Sequence, residues 1–254
     1  HLVTISAMTD NVSKYGLTAR PANQENDKPE NAYPKSVAIS ALKPPATPLA
    51  TRIDKYCKSK LPPDTYRHSM RVYSFGCAIA RECYPSFGLT PGSALDETWF
   101  CTAMLHDIGT TPENISSTRL SYEFWAGYHA LDLLQDVELS GGGEGIAEKD
   151  QAESIAEAII RHQDIQPNGR ITLLTRLIHW GTLLDNIGAG GELVDERTIE
   201  VVCEEYSRKG WCGCFKGSVK EEKRLKPYAM VSRLEGFSER IEPNGKTGVM
   251  RRWD

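Results

Sequence analysis

The stretch Trp99-Phe100-Cys101-Thr102-Ala103-Met104-Leu105-His106-Asp107-Ile108-Gly109 decides how the rest of the chain is read. Its apolar run, Trp99-Phe100 and Ala103-Met104-Leu105, ends in an adjacent His-Asp pair. Ala94–Ile108 reads as one helix, with Gly109 as the residue that stops it. A carboxylate at the end of such an apolar run is costly to bury unless it is paired or holds a cation. Asp107 therefore asks for a partner.

Two further helices pose the same question. In Ala147–His162 the apolar stripe Ile155, Ala158, Ile159 continues into His162, at helical spacing. In Ile171–Ile187 the stripe Leu174, Leu177, Ile178, Gly181 continues into Asp185, with Thr182 one turn before it. Asp64–Tyr84, entered through Pro62-Pro63, carries His68, and Ser121–Gln135 completes a set of five helical segments. Each polar residue has an ordinary explanation, a hydrogen-bonded core histidine or a carboxylate at a helix end. A shared metal ion answers all of them at once. His179 lies off the stripe of its helix and reads as a flank or surface residue, and Lys220-Glu221-Glu222-Lys223-Arg224 reads as a solvated face.

Working outward, few stretches alternate with period two for long, which favours an all-α helical bundle. Residues 1–50 hold Pro21, Pro29, Pro34, Pro44, Pro45 and Pro48 and read as an irregular N-terminal arm, with 51–254 as the helical domain. Gly141-Gly142-Gly143-Glu144-Gly145 and Gly188-Ala189-Gly190-Gly191 read as loops. The 254 residues carry a net charge of −4, which argues against a broad nucleic-acid-binding face. No apolar run approaches the roughly 18 residues of a membrane-spanning helix, so no membrane partner is expected. The opening His1-Leu2-Val3-Thr4 has no charged region followed by an apolar one, and no secretory signal is expected. Seven cysteines, an odd number scattered along the chain, suggest a reducing, cytoplasmic setting. Cys203, Cys212 and Cys214 come nearest to a cysteine metal site but lack a second CxxC pair or a nearby His.

The order His68, His106-Asp107, Asp185 resembles the HD superfamily, all-helical metal-dependent hydrolases named for the His-Asp pair. The resemblance rests on His68-Ser69-Met70-Arg71-Val72, Leu105-His106-Asp107-Ile108-Gly109 and Leu184-Asp185-Asn186. Narrower stretches are similar to the fungal cyanamide hydratases: Pro63-Asp64-Thr65-Tyr66-Arg67-His68, Ser117-Thr118-Arg119-Leu120-Ser121, Ala156-Glu157-Ala158-Ile159-Ile160-Arg161-His162, Thr182-Leu183-Leu184-Asp185-Asn186-Ile187-Gly188-Ala189 and Gly210-Trp211-Cys212. It covers roughly residues 50 to 230.

That resemblance implies His68, His106, Asp107 and Asp185 as metal ligands, with Zn²⁺ expected and Fe²⁺ or Mn²⁺ also suited to the donor set. It implies hydration of cyanamide to urea, metal-bound hydroxide attacking the nitrile carbon. His162 is the candidate for proton transfer and Thr182 for orienting water or substrate. The small substrate calls for a tight pocket, with Tyr66, Phe124 and Trp125 as candidate walls that could equally be core aromatics. A homo-oligomer is expected. Two rivals share the motif. A phosphohydrolase is weakened by Gly109-Thr110, where a lysine would help hold phosphate, and a dinuclear oxygenase would use His129 with His162.

Overall fold

The computed structural model describes residues 11–138 and 144–254. His1, the first ten residues of the arm and Gly141-Gly142-Gly143 of the glycine loop lie outside them. Among the described residues the fold is all-α apart from one small sheet. Helices α1 (Pro48–Lys60) and α2 (Pro63–Cys83) both begin on proline, whose fixed φ suits the first turn. Next come α3 (Ala94–Leu105), α4 (Pro112–Ser117), α5 (Tyr122–Gln135), α6 (Lys149–Ile160) and α7 (Leu173–Ile187). Then follow α8 (Glu196–Glu205), α9 (Trp211–Leu225) and α10 (Phe237–Lys246). Side-chain oxygens of Thr47, Ser93, Thr111, Thr172 and Asp195 cap five of these N-termini, satisfying N–H groups that have no partner within the helix.

Strand β1 (Ala19–Pro21) pairs antiparallel with β2 (Arg170–Thr172), Ala19 opposite Thr172. This short ribbon shortens the expected Ile171–Ile187 helix by two residues and ties residues 19–21 to the start of α7. Asp27, buried among the same residues, binds the Arg176 guanidinium (3.2 Å), and Leu42 is fully buried in the main core. Helix α2 packs on α7 and α3, and α6 on α5, α3 and α7, around that core. A second cluster, with Trp211, Phe215, Val231, Phe237 and Ile241, joins α9 and α10 to the outer face of α7. Among the described residues no helix is long and apolar enough to cross a membrane. All seven cysteines are free thiols, six of them buried.

Several readings need correction. Helix α3 stops at Leu105, so His106 and Asp107 stand in the turn that follows, before a single 3₁₀ turn at Ile108–Thr110. Gly109 is not a left-handed stop, since its φ is not positive. It is needed because a Cβ there would collide with the Tyr122 carbonyl of α5. Gly188 does take the left-handed conformation that closes α7 (φ 73°). His179 is buried rather than at the surface, because α7 is enclosed on nearly every side. Glu222, placed on a solvated face, is buried and paired with Lys226 at 2.9 Å.

Candidate metal centre

Three elements bring their polar residues to one buried point. His68 comes from the second turn of α2, and His106 and Asp107 from the turn after α3. Their exposures are 0%, 1% and 2%. His68 Nε2 lies 3.3 Å from His106 Nε2 and 3.6 Å from Asp107 Oδ2, and His106 Nε2 is 3.3 Å from that same oxygen. These three residues form a group able to hold a metal ion.

Hydrogen bonding fixes which atoms face inward. A carbonyl oxygen can only accept, so His106 Nδ1, 2.8 Å from the Ala103 carbonyl, must carry the proton. His68 Nδ1 donates to Asp185 Oδ2 at 2.5 Å. Each ring, when neutral, then turns an Nε2 lone pair toward the other and toward Asp107 Oδ2, a buried oxygen with no hydrogen-bond partner. Three electron-rich atoms so placed repel one another unless a cation sits among them. Tetrahedral zinc, bound at about 2.0–2.1 Å, sets ligand atoms roughly 3.4 Å apart, which the observed spacings match. The electrostatics agree. Burial works against charge on His106, yet the Asp107 carboxylate raises its pKa. Burial also opposes the charged form of Asp107, but the surrounding imidazoles hold its carboxyl well below the ordinary range. The site favours positive charge at this point.

Asp185 stands elsewhere than the sequence suggested. It lies behind His68, with both carboxylate oxygens already engaged. Arg71 donates Nε to Oδ1 (2.9 Å) and Nη2 to Oδ2 (2.8 Å), and Arg208 donates Nε to Oδ1 (3.1 Å). Burial raises its pKa but the two guanidiniums hold it far down. Arg208 also reaches Asp254 (2.5 Å), and Arg71 reaches the Ser207 carbonyl (2.9 Å). Asp185 is not among the three grouped residues, and its contact with His68 Nδ1 has the form of the carboxylate partners of metal-binding histidines.

His162 approaches from the end of α6. Its Nδ1 lies 2.6 Å from the Ile159 carbonyl and so carries the proton, leaving Nε2 as an acceptor. Nε2 lies 3.1 Å from the Tyr122 hydroxyl and 3.8 Å from Asp107 Oδ1. Gln163 Nε2 donates to the Tyr122 hydroxyl (2.9 Å), which directs the phenol proton to His162. Burial, reinforced by His106, lowers the pKa of His162 to about 3, so the ring is neutral at ordinary pH. Thr182 is buried one turn before Asp185 and donates its hydroxyl to the Ile178 carbonyl (2.7 Å), which leaves its lone pairs to accept.

Two aromatic residues of α9 lie against His68. Trp211 stacks on His68 (4.2 Å between ring centres, 13° between planes), and Phe215 lies 5.5 Å from Trp211 and 6.3 Å from His68. Tyr66 donates its hydroxyl to Asp54, Trp125 stacks on His129, and Phe124 is half-buried early in α5. His129 bonds the Tyr56 hydroxyl (2.6 Å) and is not among the three grouped residues. Cys212 and Cys214 occupy the start of α9 without forming a metal group with Cys203 among the described residues. Sequence reasoning missed Tyr122, Gln163 and Arg208, whose roles depend on long-range packing. Arg71 was legible as a charge amid Met70, Val72 and Tyr73, three residues after His68.

Fold and site together define an all-helical protein with a buried His-His-Asp cluster of the metal-binding kind. Comparison with protein-family profiles finds no match. Two curated Saccharomyces cerevisiae proteins, Cyanamide hydratase DDI2 and Cyanamide hydratase DDI3, are each 31% identical over 231 residues, covering 91% of this chain and 96% of theirs. The chain belongs to the cyanamide hydratase family.

Proposed function

We propose that this chain adds water to cyanamide to give urea, at a metal ion held by His68, His106 and Asp107. The observation that carries the reading is the unpartnered Asp107 Oδ2 facing two imidazole nitrogens in a fully buried site, in a chain of this family. The donor set and its spacing favour zinc, with iron(II) the alternative. A bound zinc ion lowers the pKa of a coordinated water to about 7, supplying a nucleophile at neutral pH.

The chain's own residues do the rest. Hydration moves both hydrogens of one water to the former nitrile nitrogen, the first as oxygen adds to the carbon to give isourea and the second as isourea tautomerises to urea, and no group leaves. His162 enters neutral, its Nε2 lone pair accepting the Tyr122 hydroxyl, and takes a proton there when that bond is released, being too weak a base to keep it. It passes that proton toward the nitrile nitrogen, with the Tyr122 hydroxyl as its hydrogen-bonded neighbour. Thr182 offers its oxygen to an N–H of the substrate. Asp185, clamped by Arg71 and Arg208, positions His68. We assign the pocket wall to Trp211 and Phe215. We also place the fold in the HD superfamily, with residues 51–254 as the catalytic domain and 1–50 as its arm, and take the free thiols to favour a cytoplasmic setting.

The test is incubation of the purified, zinc-loaded protein with cyanamide and assay of urea, beside a panel of phosphate esters. Urea formation supports the reading. Hydrolysis of a phosphate ester with no urea would replace it with a phosphohydrolase.

A further inference from the structure

We propose that substrate reaches the buried centre through the groove between α4 and α9, and that Cys214 and Gly217 set its width. The proposal deepens the reading above and rests on the His68–His106–Asp107 cluster being the reaction site. That cluster is at most 2% exposed, so anything reacting there needs a passage. Helix α9 is its cover. Near its start Trp211 stacks on His68, and near its end Glu222 Oε1 accepts the Tyr122 backbone N–H at 3.0 Å.

Between these two anchor points α9 stands away from α4. The groove measures about 360 Å³, with Thr110, Ile115 and Ser116 on one side and Cys214, Gly217 and Glu221 on the other. One lining residue, Thr110, is tied to the metal-binding turn, its Oγ1 donating to the Asp107 carbonyl at 2.7 Å. Cys214 adjoins Phe215, and burial pushes its thiol pKa up, with a smaller contribution from the carboxylates of Asp64 and Asp107.

The glycines of α9 point the same way. Gly213 and Gly217 have no positive φ, and a Cβ on either would meet nothing within 4 Å. Neither backbone strain nor close packing calls for glycine, and glycine weakens a helix interior. What Gly217 supplies is room along the groove. The larger cleft of about 530 Å³, lined by Arg233 and Arg240, includes no residue of the His106–Thr110 turn.

The experiment plugs the groove from either wall in the metal-loaded protein, with Gly217→Trp from α9 and Ser116→Trp from α4, and uses Gly217→Ala as control. Azide binding to the cobalt-substituted protein, followed by stopped-flow absorbance, reports access without requiring turnover. Both Trp variants are expected to retain metal and to slow azide binding at least about tenfold, with a matching fall in kcat/KM for cyanamide, whereas Gly217→Ala matches the parent. Cys214→Ala is expected to raise kcat/KM for dimethylcyanamide relative to cyanamide. Slowed azide binding in a protein that makes no urea would keep the passage and remove the substrate assignment. Azide binding at the parental rate in both Trp variants would overturn the proposal.

Discussion

His162 shows how burial selects a role for an imidazole. A solvated histidine would be partly charged near neutrality, but this one is enclosed and held in one tautomer by the Ile159 carbonyl. It can accept a proton but does not hold charge at rest. His162→Gln is therefore expected to retain the metal while kcat falls by about 10²–10⁴-fold, measured as urea release beside metal content. Loss of metal with the activity would instead place His162 among the ligands. Asp185 differs in kind. As the positioning partner of His68 its replacement by Asn is expected to weaken metal affinity by about 10–100-fold, read by competition with a chelator. A change in the number of metal-bound oxygen donors, seen by X-ray absorption, would make it a ligand after all. The sequence pointed to these residues because each interrupts an apolar helical stripe. It could not tell a ligand from a ligand's partner, since that difference lies in which atom Arg71 and Arg208 occupy.

At the scale of elements, the site depends on how closely α5 seats on the His106–Thr110 turn. Gly109 permits that approach, and it brings Tyr122 within reach of His162. Gly109→Ala is expected to push the start of α5 outward, destabilise the protein by roughly 1–3 kcal/mol and lower kcat while leaving KM less changed. Thermal unfolding and steady-state kinetics check both effects. A stable Gly109→Ala protein with parental kcat would show that the Tyr122–His162 contact is dispensable. The helices themselves were legible from apolar periodicity, prolines and N-caps. Gly109 was misread because a glycine after an apolar run looks the same in sequence whether it closes a helix or admits a neighbouring chain. His179 was misread because periodicity marks only the most apolar stripe of α7, while Arg176, Trp180 and Asn186 are buried as well. The three-residue strands are too short for an alternating pattern to register.

At the scale of the whole molecule, the buried histidines tie stability to pH. Burial lowers His162 to about 3 and His179 to about 4, whereas an unfolded imidazole titrates near 6.5. Below that unfolded value the unfolded chain binds protons that the native state refuses. Stability is thus greatest above about pH 6.5 and falls as pH drops, by ~1.4 kcal/mol per pH unit for each such histidine. His68, lowered by burial, acts in the same direction, and His106, raised beside Asp107, acts against it. The depressed carboxyls of Asp107 and Asp185 enter only below about pH 4, where unfolded carboxylates begin to protonate. Urea denaturation of the metal-stripped protein between pH 7 and 5 should show the decline, and His179→Leu should reduce its slope by about one proton's share. An unchanged slope would mean that native His179 takes up a proton over that range.

The most direct measurement follows urea formation while zinc is returned stepwise to chelator-stripped protein. The expected result is no urea without metal, then a rate that climbs linearly to one zinc per chain and levels off there. Urea formed at full rate by the stripped protein, or none at any zinc loading, would contradict a reaction centred on His68, His106 and Asp107.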